Sequence, residues 1–147
     1  MGMFDALEIS ASGLTAERLR MDVTAENLAN AQTTRGADGQ PYRRKEVVLA
    51  EREGPSSFGA TLAGAMGRGG RAGGVEVAAI AQDATPLKQV YDPGHPDADA
   101  DGYVQMPNVD PVAEMVDLIS AQRAYEANVT AMQAAKQMFS KTLDLLR

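Results

Sequence analysis

From Val112 to Leu146 the chain runs 35 residues without a glycine or a proline. Met115, Leu118, Gln122, Tyr125, Val129, Met132, Lys136, Phe139, Leu143 and Leu146 alternate there at spacings of three and four, the seam of a coiled coil. At a rise of roughly 1.5 Å per residue such a helix extends about 52 Å, more than a compact domain of this length needs, so it requires something to pack against. Its start is well marked: Asp110 is an N-cap, Pro111 stands at the first helical position, and Glu114 and Asp117 face the positive end of the helix dipole. Lys136, Lys141 and Arg147 lie toward the negative end.

A matching element begins the sequence. Phe4, Leu7, Ala11, Leu14, Arg18, Met21, Ala25 and Leu28 repeat the same alternation, and the helix they predict ends near Asn30 or Ala31, where a run of turn formers from Gln32 to Pro41 follows. The expectation is a mainly α fold with a small β insertion, its long N- and C-terminal helices paired as an antiparallel coiled coil. Residues 1–31 and 110–147 supply that coiled-coil domain, and residues 32–109 form an inserted loop and small β region. Within the insertion, residues 42–52 around Val47-Val48-Leu49, residues 75–81 and residues 87–91 read as short strands able to form one small antiparallel sheet. Between the first two lies a stretch, 54–74, in which eight of 21 residues are glycine. Ordering it costs much backbone entropy against little apolar area, which makes it a flexible loop.

Composition narrows the function. A net charge of -6 with scattered arginines gives no basic stripe for a nucleic acid, and residues 92–117 carry seven acids and no Lys or Arg, a solvated acidic surface. There is no cysteine. The first residues lack the basic and apolar regions of a cleaved signal peptide, and no segment has the length and apolarity of a membrane span. The glycines of 54–74 do not fit a dinucleotide fingerprint or a P-loop. His95, the sole histidine, stands among prolines and glycine without a second nitrogen or sulfur ligand nearby. Asp97, Asp99 and Asp101 followed by Gly102 copy the first half of an EF-hand loop, but position 12 is Asn108 and helices do not flank it. A polar turn is the better reading. No enzyme, no cofactor and no metal site is expected.

A second stripe on the C-terminal helix, Ala121, Ala124, Asn128, Ala131, Ala135, Met138, Thr142 and Leu145, lies about 100° around from the first. One partner helix cannot cover both, and small side chains there admit another backbone closely. Lateral packing against helices of other subunits is the expectation. The packing residues are Phe4, Leu7, Leu14, Met21, Asn27, Leu28 and Asn30 on the first helix. On the last they are Met115, Leu118, Tyr125, Asn128, Val129, Met132, Phe139, Leu143 and Leu146. Asn27, Asn30 and Asn128 would weaken a simple two-helix pair yet fix register in a bundle.

The segment Ala25-Glu26-Asn27-Leu28-Ala29-Asn30-Ala31-Gln32-Thr33 is similar to the amino-terminal motif shared by axial proteins of the bacterial flagellum. Residues 94–104, then Pro107-Asn108-Val109-Asp110, Glu114-Met115 and Tyr125-Glu126-Ala127-Asn128-Val129 resemble the basal-body rod family, in particular its proximal members. The resemblance implies a structural subunit of the rod, exported unprocessed through the flagellar type III apparatus to the periplasm. It also implies copies of the chain itself, the rod proteins FlgB, FlgF and FlgG and the adaptor FliE as partners. Subunits of this kind would gain order at their termini on joining the growing end. The residues alone also admit a second class, a monomeric or dimeric helical adaptor that binds one partner through its coiled-coil faces.

Overall fold

A computed structural model of the chain describes residues 3–36, 38–53 and 72–145. Six elements follow in order: α1 (Met3–Ala29), β1 (Lys45–Glu53), β2 (Ala72–Gln82), β3 (Lys88–Tyr91), β4 (Tyr103–Met106) and α2 (Pro111–Leu145). The molecule is therefore mainly α, with a small β component. Most of the glycine-rich stretch, residues 54–71, lies outside the described residues, as does Leu146.

Both helices end where local chemistry stops them. Asn30 closes α1: its amide and its side-chain Nδ2 both donate to the Glu26 carbonyl, at 3.0 and 2.9 Å, and the Thr33 hydroxyl donates to Asn30 Oδ1. The side chain thus shares the carbonyl its own amide uses, and the chain then tightens, the Ala31 amide donating to the Leu28 carbonyl three residues back at 3.3 Å. At the start of α2, Asp110 Oδ1 accepts from the Val112 amide at 3.0 Å and the Asp110 carbonyl accepts from Glu114 N at 3.0 Å. This is the N-cap that the sequence announces.

The strands make two separate two-stranded sheets, β1 with β2 and β3 with β4, in place of the single sheet expected. The reason is the acidic turn. Asp99 Oδ1 accepts from the amides of Asp101 and Tyr103, at 3.1 and 2.8 Å, and Gly102 at φ 81° completes the reversal. Tyr103–Met106 is thereby returned antiparallel along β3, in the register Lys88↔Met106, Gln89↔Gln105, Val90↔Val104 and Tyr91↔Tyr103. That short strand went unread in the sequence because it directly follows a polar turn.

Two compact units divide the chain, and each contains parts of both helices. The first comprises Met1–Arg18, Val48–Ala79 and Gln122–Arg147. Among the described residues its buried apolar side chains are Ala16 and Ala135, both small enough to admit a neighbouring backbone closely. Gly13 lies under Asn128, where an added Cβ would come within 3.1 Å of both side-chain polar atoms. Ser12 ties β2 to α1: its hydroxyl donates to the Ile9 carbonyl at 2.7 Å and accepts from the Val75 amide at 3.0 Å. The second unit comprises Leu19–Val47 and Ile80–Ala121. Val23, Val104, Val109 and Ala121 are its buried apolar residues, joined by the buried polar residues Thr24, Asn27 and Glu114.

Among the described glycines Gly74 makes the tightest approach. It sits at φ 103°, and an added Cβ would run into the Ser12 hydroxyl. Gly74→Ala combines positive-φ strand strain with that clash, so it should cost about 1–3 kcal/mol. Thermal unfolding followed by circular dichroism measures it, and an unchanged midpoint would show that β2 is not held against α1 in this way.

Candidate functional site

The best-defined site in the second unit is a buried polar junction built from the end of α1, the entry to β1 and the first turn of α2. Asn27 and Glu114 are each 1% exposed. A carboxylate so placed is costly unless its charge and both oxygens are satisfied. Arg44 Nε donates to Glu114 Oε1 at 2.5 Å, and Asn27 Nδ2 donates to Glu114 Oε2 at 3.0 Å. Arg44 also reaches Asp117 Oδ2 from Nη2 at 3.3 Å, while its own amide donates to Asn108 Oδ1 at 2.8 Å. The ion pair holds the Arg44 guanidinium above its usual basicity, chiefly through the hydrogen bond to Glu114.

Asn27 uses its whole hydrogen-bonding capacity here. Nδ2 donates to the Lys45 carbonyl at 2.8 Å as well as to Glu114, and Oδ1 accepts from the Lys45 amide and the Tyr42 hydroxyl, both at 2.9 Å. The side-chain amide therefore pairs with Lys45 as a neighbouring strand residue would. Burial, reinforced by the Glu26 and Glu114 carboxylates, pushes the Tyr42 phenol up to about 12. Lys45 Nζ closes the outer side, 2.6 Å from Glu26 Oε1 and 5.6 Å from the centre of the Tyr42 ring.

Asn108 extends the junction to the loop between β2 and β3, its Nδ2 donating to Thr85 Oγ1 at 2.8 Å and to the Asp83 carbonyl at 3.3 Å. Asp83 is held below the usual carboxylate range first by the Thr85 amide, then by the Thr85 hydroxyl, and less by Arg44. Elsewhere in this unit, Asp97 accepts from the Thr34 hydroxyl at 2.8 Å and pairs with Arg35 at 2.7 Å. That carboxylate is committed to the segment after α1. Among the described residues no three acidic, histidine or cysteine side chains converge to hold a metal, and no helix is long and apolar enough to cross a membrane. An open cleft of about 560 Å³ borders the junction, lined by Glu26, Asn30, Asp38, Tyr42, Arg43 and Lys45 among others. It holds charges of both signs.

The expected packing residues distribute unevenly. On α1, Leu7, Leu14, Met21, Leu28 and Asn30 are half-buried and Asn27 is buried; the side chain of Phe4 lies outside the described residues. On α2, Leu118, Tyr125, Asn128, Val129, Met132 and Phe139 are half-buried, whereas Met115 and Leu143 are 46% and 50% exposed. The most buried positions of α2 are Glu114, Ala121 and Ala135, which sit one residue before the Met115, Gln122 and Lys136 of the expected seam. Sequence reasoning missed Glu114, Arg44, Tyr42 and Asn108 as a group. It missed also that Val112, Met115, Val116 and Ile119, spaced i, i+3, i+4, i+7, form an exposed apolar stripe.

Asn27→Asp would remove two donors and bring a second carboxylate against Glu114, at a cost of about 3 kcal/mol or more. Adding Glu114→Gln restores a donor between the two side chains, so the double variant should be more stable than Asn27→Asp alone in a denaturant titration. Tyr42→Phe gives a separate check. The folded phenol keeps its proton to about pH 12 while the unfolded chain loses it near 10.0, so this stabilisation is complete below pH 10.0 and is lost as pH rises toward 12. Tyr42→Phe should cost about 1 kcal/mol at neutral pH and flatten that alkaline decline.

Comparison with known proteins agrees with this distribution of features. Residues 7–37, which contain most of α1, match the family model described as flagella basal body rod protein. Residues 100–145, which contain β4 and α2, match the flagellar basal body rod FlgEFG protein C-terminal model. The flagellar basal-body rod protein FlgC of Bacillus subtilis is 52% identical over 99% of both chains. The FlgC proteins of Borreliella burgdorferi, 45% identical over 100% of this chain and 99% of its own, and of Aquifex aeolicus, 40% over 98% and 97%, are similar along nearly their whole lengths. The chain belongs to the flagellar basal-body rod protein FlgC family.

Proposed function

We propose that the chain is a structural, non-catalytic subunit of the bacterial flagellar basal-body rod, in its proximal part, and that it polymerises through its terminal helices. The observation that carries this reading is the stripe of Val112, Met115, Val116 and Ile119, exposed by 65%, 46%, 62% and 51%. Full burial of one such exposed side chain is worth roughly 1.5–3 kcal/mol; these four are already partly covered, and a neighbouring helix in a polymer supplies the remaining share. Met138 and Leu143, 61% and 50% exposed, offer further apolar area along α2.

Antiparallel pairing of the helices is supported within the second unit by the order of the contacts between them. Arg20 of α1 faces Asp117 of α2 at 3.9 Å, and the later Asn27 bonds the earlier Glu114. On this reading Phe4, Leu7, Leu14, Met21, Leu28, Asn30, Leu118, Tyr125, Val129, Met132, Phe139 and Leu146 form or border the seam. Met115 and Leu143 turn toward neighbours, and Asn27 and Asn128 fix register. Residues 1–31 and 110–147 act as the assembly domain, with 32–109 as the insertion between them. The subunit is exported through the type III apparatus and stands in the periplasmic rod. Its neighbours there are further copies and the rod proteins FlgB, FlgF and FlgG, with FliE as adaptor. Torque passes through close-packed interfaces, and later subunits pass along the channel they enclose.

The alternative, a helical adaptor binding one partner, is not favoured by relatives that are basal-body rod proteins along their whole length. Deletion of the coding sequence separates the two. The rod reading expects cells without hooks or filaments, restored by the intact gene; flagellated, motile deletion cells would leave the adaptor.

A further inference from the structure

The β3–β4 hairpin has an outer face that the second unit does not use. Its cross-strand pairs Gln89↔Gln105 and Tyr91↔Tyr103 lie on that face, and all four residues are exposed. The opposite face carries Val104, which is 2% exposed, and Lys88, whose ammonium donates to the Val109 carbonyl at 2.7 Å. The hairpin is thus anchored on one side and open on the other. Tyr91 and Tyr103 are 64% and 43% exposed, with ring centres 5.3 Å apart at 65°. An added Cβ at Gly102 would come within 3.0 Å of the Tyr91 ring and 3.3 Å of Pro93, so the ring is seated on the turn. Rigid tyrosines that lose little entropy on contact are effective docking groups. Asp92 and Asp101, both exposed, give this turn an acidic edge.

A complementary surface exists on the same sequence. Of the seven acids of residues 92–117, Asp97, Glu114 and Asp117 are engaged by Arg35 and Arg44, which leaves Asp92, Asp99, Asp101 and Asp110 exposed, whereas α2 beyond Leu118 exposes Arg123, Lys136 and Lys141 against Glu126 and Asp144. Within that basic half, Ala127, Ala131, Ala134, Met138 and Lys141 share one side of α2 and are all exposed. Three alanines make it flat, Met138 supplies a soft apolar contact and Lys141 a cation.

We propose that the outer face of the β3–β4 hairpin docks on the distal half of α2 in a second copy of this chain, Tyr91 and Tyr103 against Ala134 and Met138, with Lys141 beside Asp92 and Asp101. The inference rests on the rod reading and adds to it a contact outside the terminal seam. In a rod the contact is used head to tail, each copy presenting its hairpin to one neighbour and its helix to another, which extends the polymer wherever the rotation between copies does not close a ring.

The absence of cysteine makes the test direct. Gln105→Cys and Gln137→Cys place thiols beside, not in, the contact, since both side chains are exposed and neither is among the docking residues. Basal bodies are purified from cells carrying the double variant or either single variant and treated with a short bifunctional maleimide. A ladder of covalent multimers from the double variant, absent from both singles, is the expected result. No ladder from a double variant that sediments with basal bodies overturns the docking and leaves the rod reading intact. Failure of even the unsubstituted chain to sediment with basal bodies overturns the rod reading itself. Charge reversal supplies a second measurement: Asp101→Lys lowers incorporation into basal bodies, and Lys141→Asp in the same chain recovers it, whereas no recovery overturns the contact.

Discussion

Glu114 is the largest side chain fully withdrawn from water among the described residues, and its charge dictates what surrounds it. An isolated buried carboxylate would neutralise itself or open the structure. Here one oxygen takes the Arg44 guanidinium and the other takes the Asn27 amide. Asn27 in turn spends its remaining donor and acceptors on Lys45 and Tyr42. The end of α1, the entry to β1 and the start of α2 are therefore set in one arrangement by directional bonds. Apolar packing alone would permit several, since Val23, Val104, Val109 and Ala121 are small and carry little shape information. Polar satisfaction substitutes for bulk.

Local features of this fold were legible in the sequence, and distant ones were not. The two helices follow from apolar periodicity, and their ends from Asn30 and Asp110, whose bonds reach no more than four residues along the chain. The junction joins positions 70 and 87 residues apart, and periodicity has no access to such pairs. Glu114 does not stand out in the sequence, because an acid in the first turn of a helix is expected for its dipole alone. Asn27 was noticed as a polar interruption, but nothing in one sequence says whether such a residue faces another copy or its own chain. The phase of α2 shows the same limit. The seam was drawn through Met115, Gln122 and Lys136, while burial is deepest at Glu114, Ala121 and Ala135, because polar bonding and close approach outweigh side-chain size there.

That phase has a consequence for assembly. With small or polar residues turned inward, Val112, Met115, Val116 and Ile119 are left outward on the first half of α2, and Met138 and Leu143 on the second. In a protein that works alone the larger apolar residues would be inside. Here the internal contacts need little apolar area because hydrogen bonds position the elements, and the larger side chains remain available for burial against neighbours. A subunit built in this way holds its shape through Asn27, Arg44 and Glu114 and keeps its hydrophobic driving force for the polymer. On the assembly proposed above, each neighbour that covers those side chains adds hydrophobic stabilisation to contacts the hydrogen bonds have already positioned.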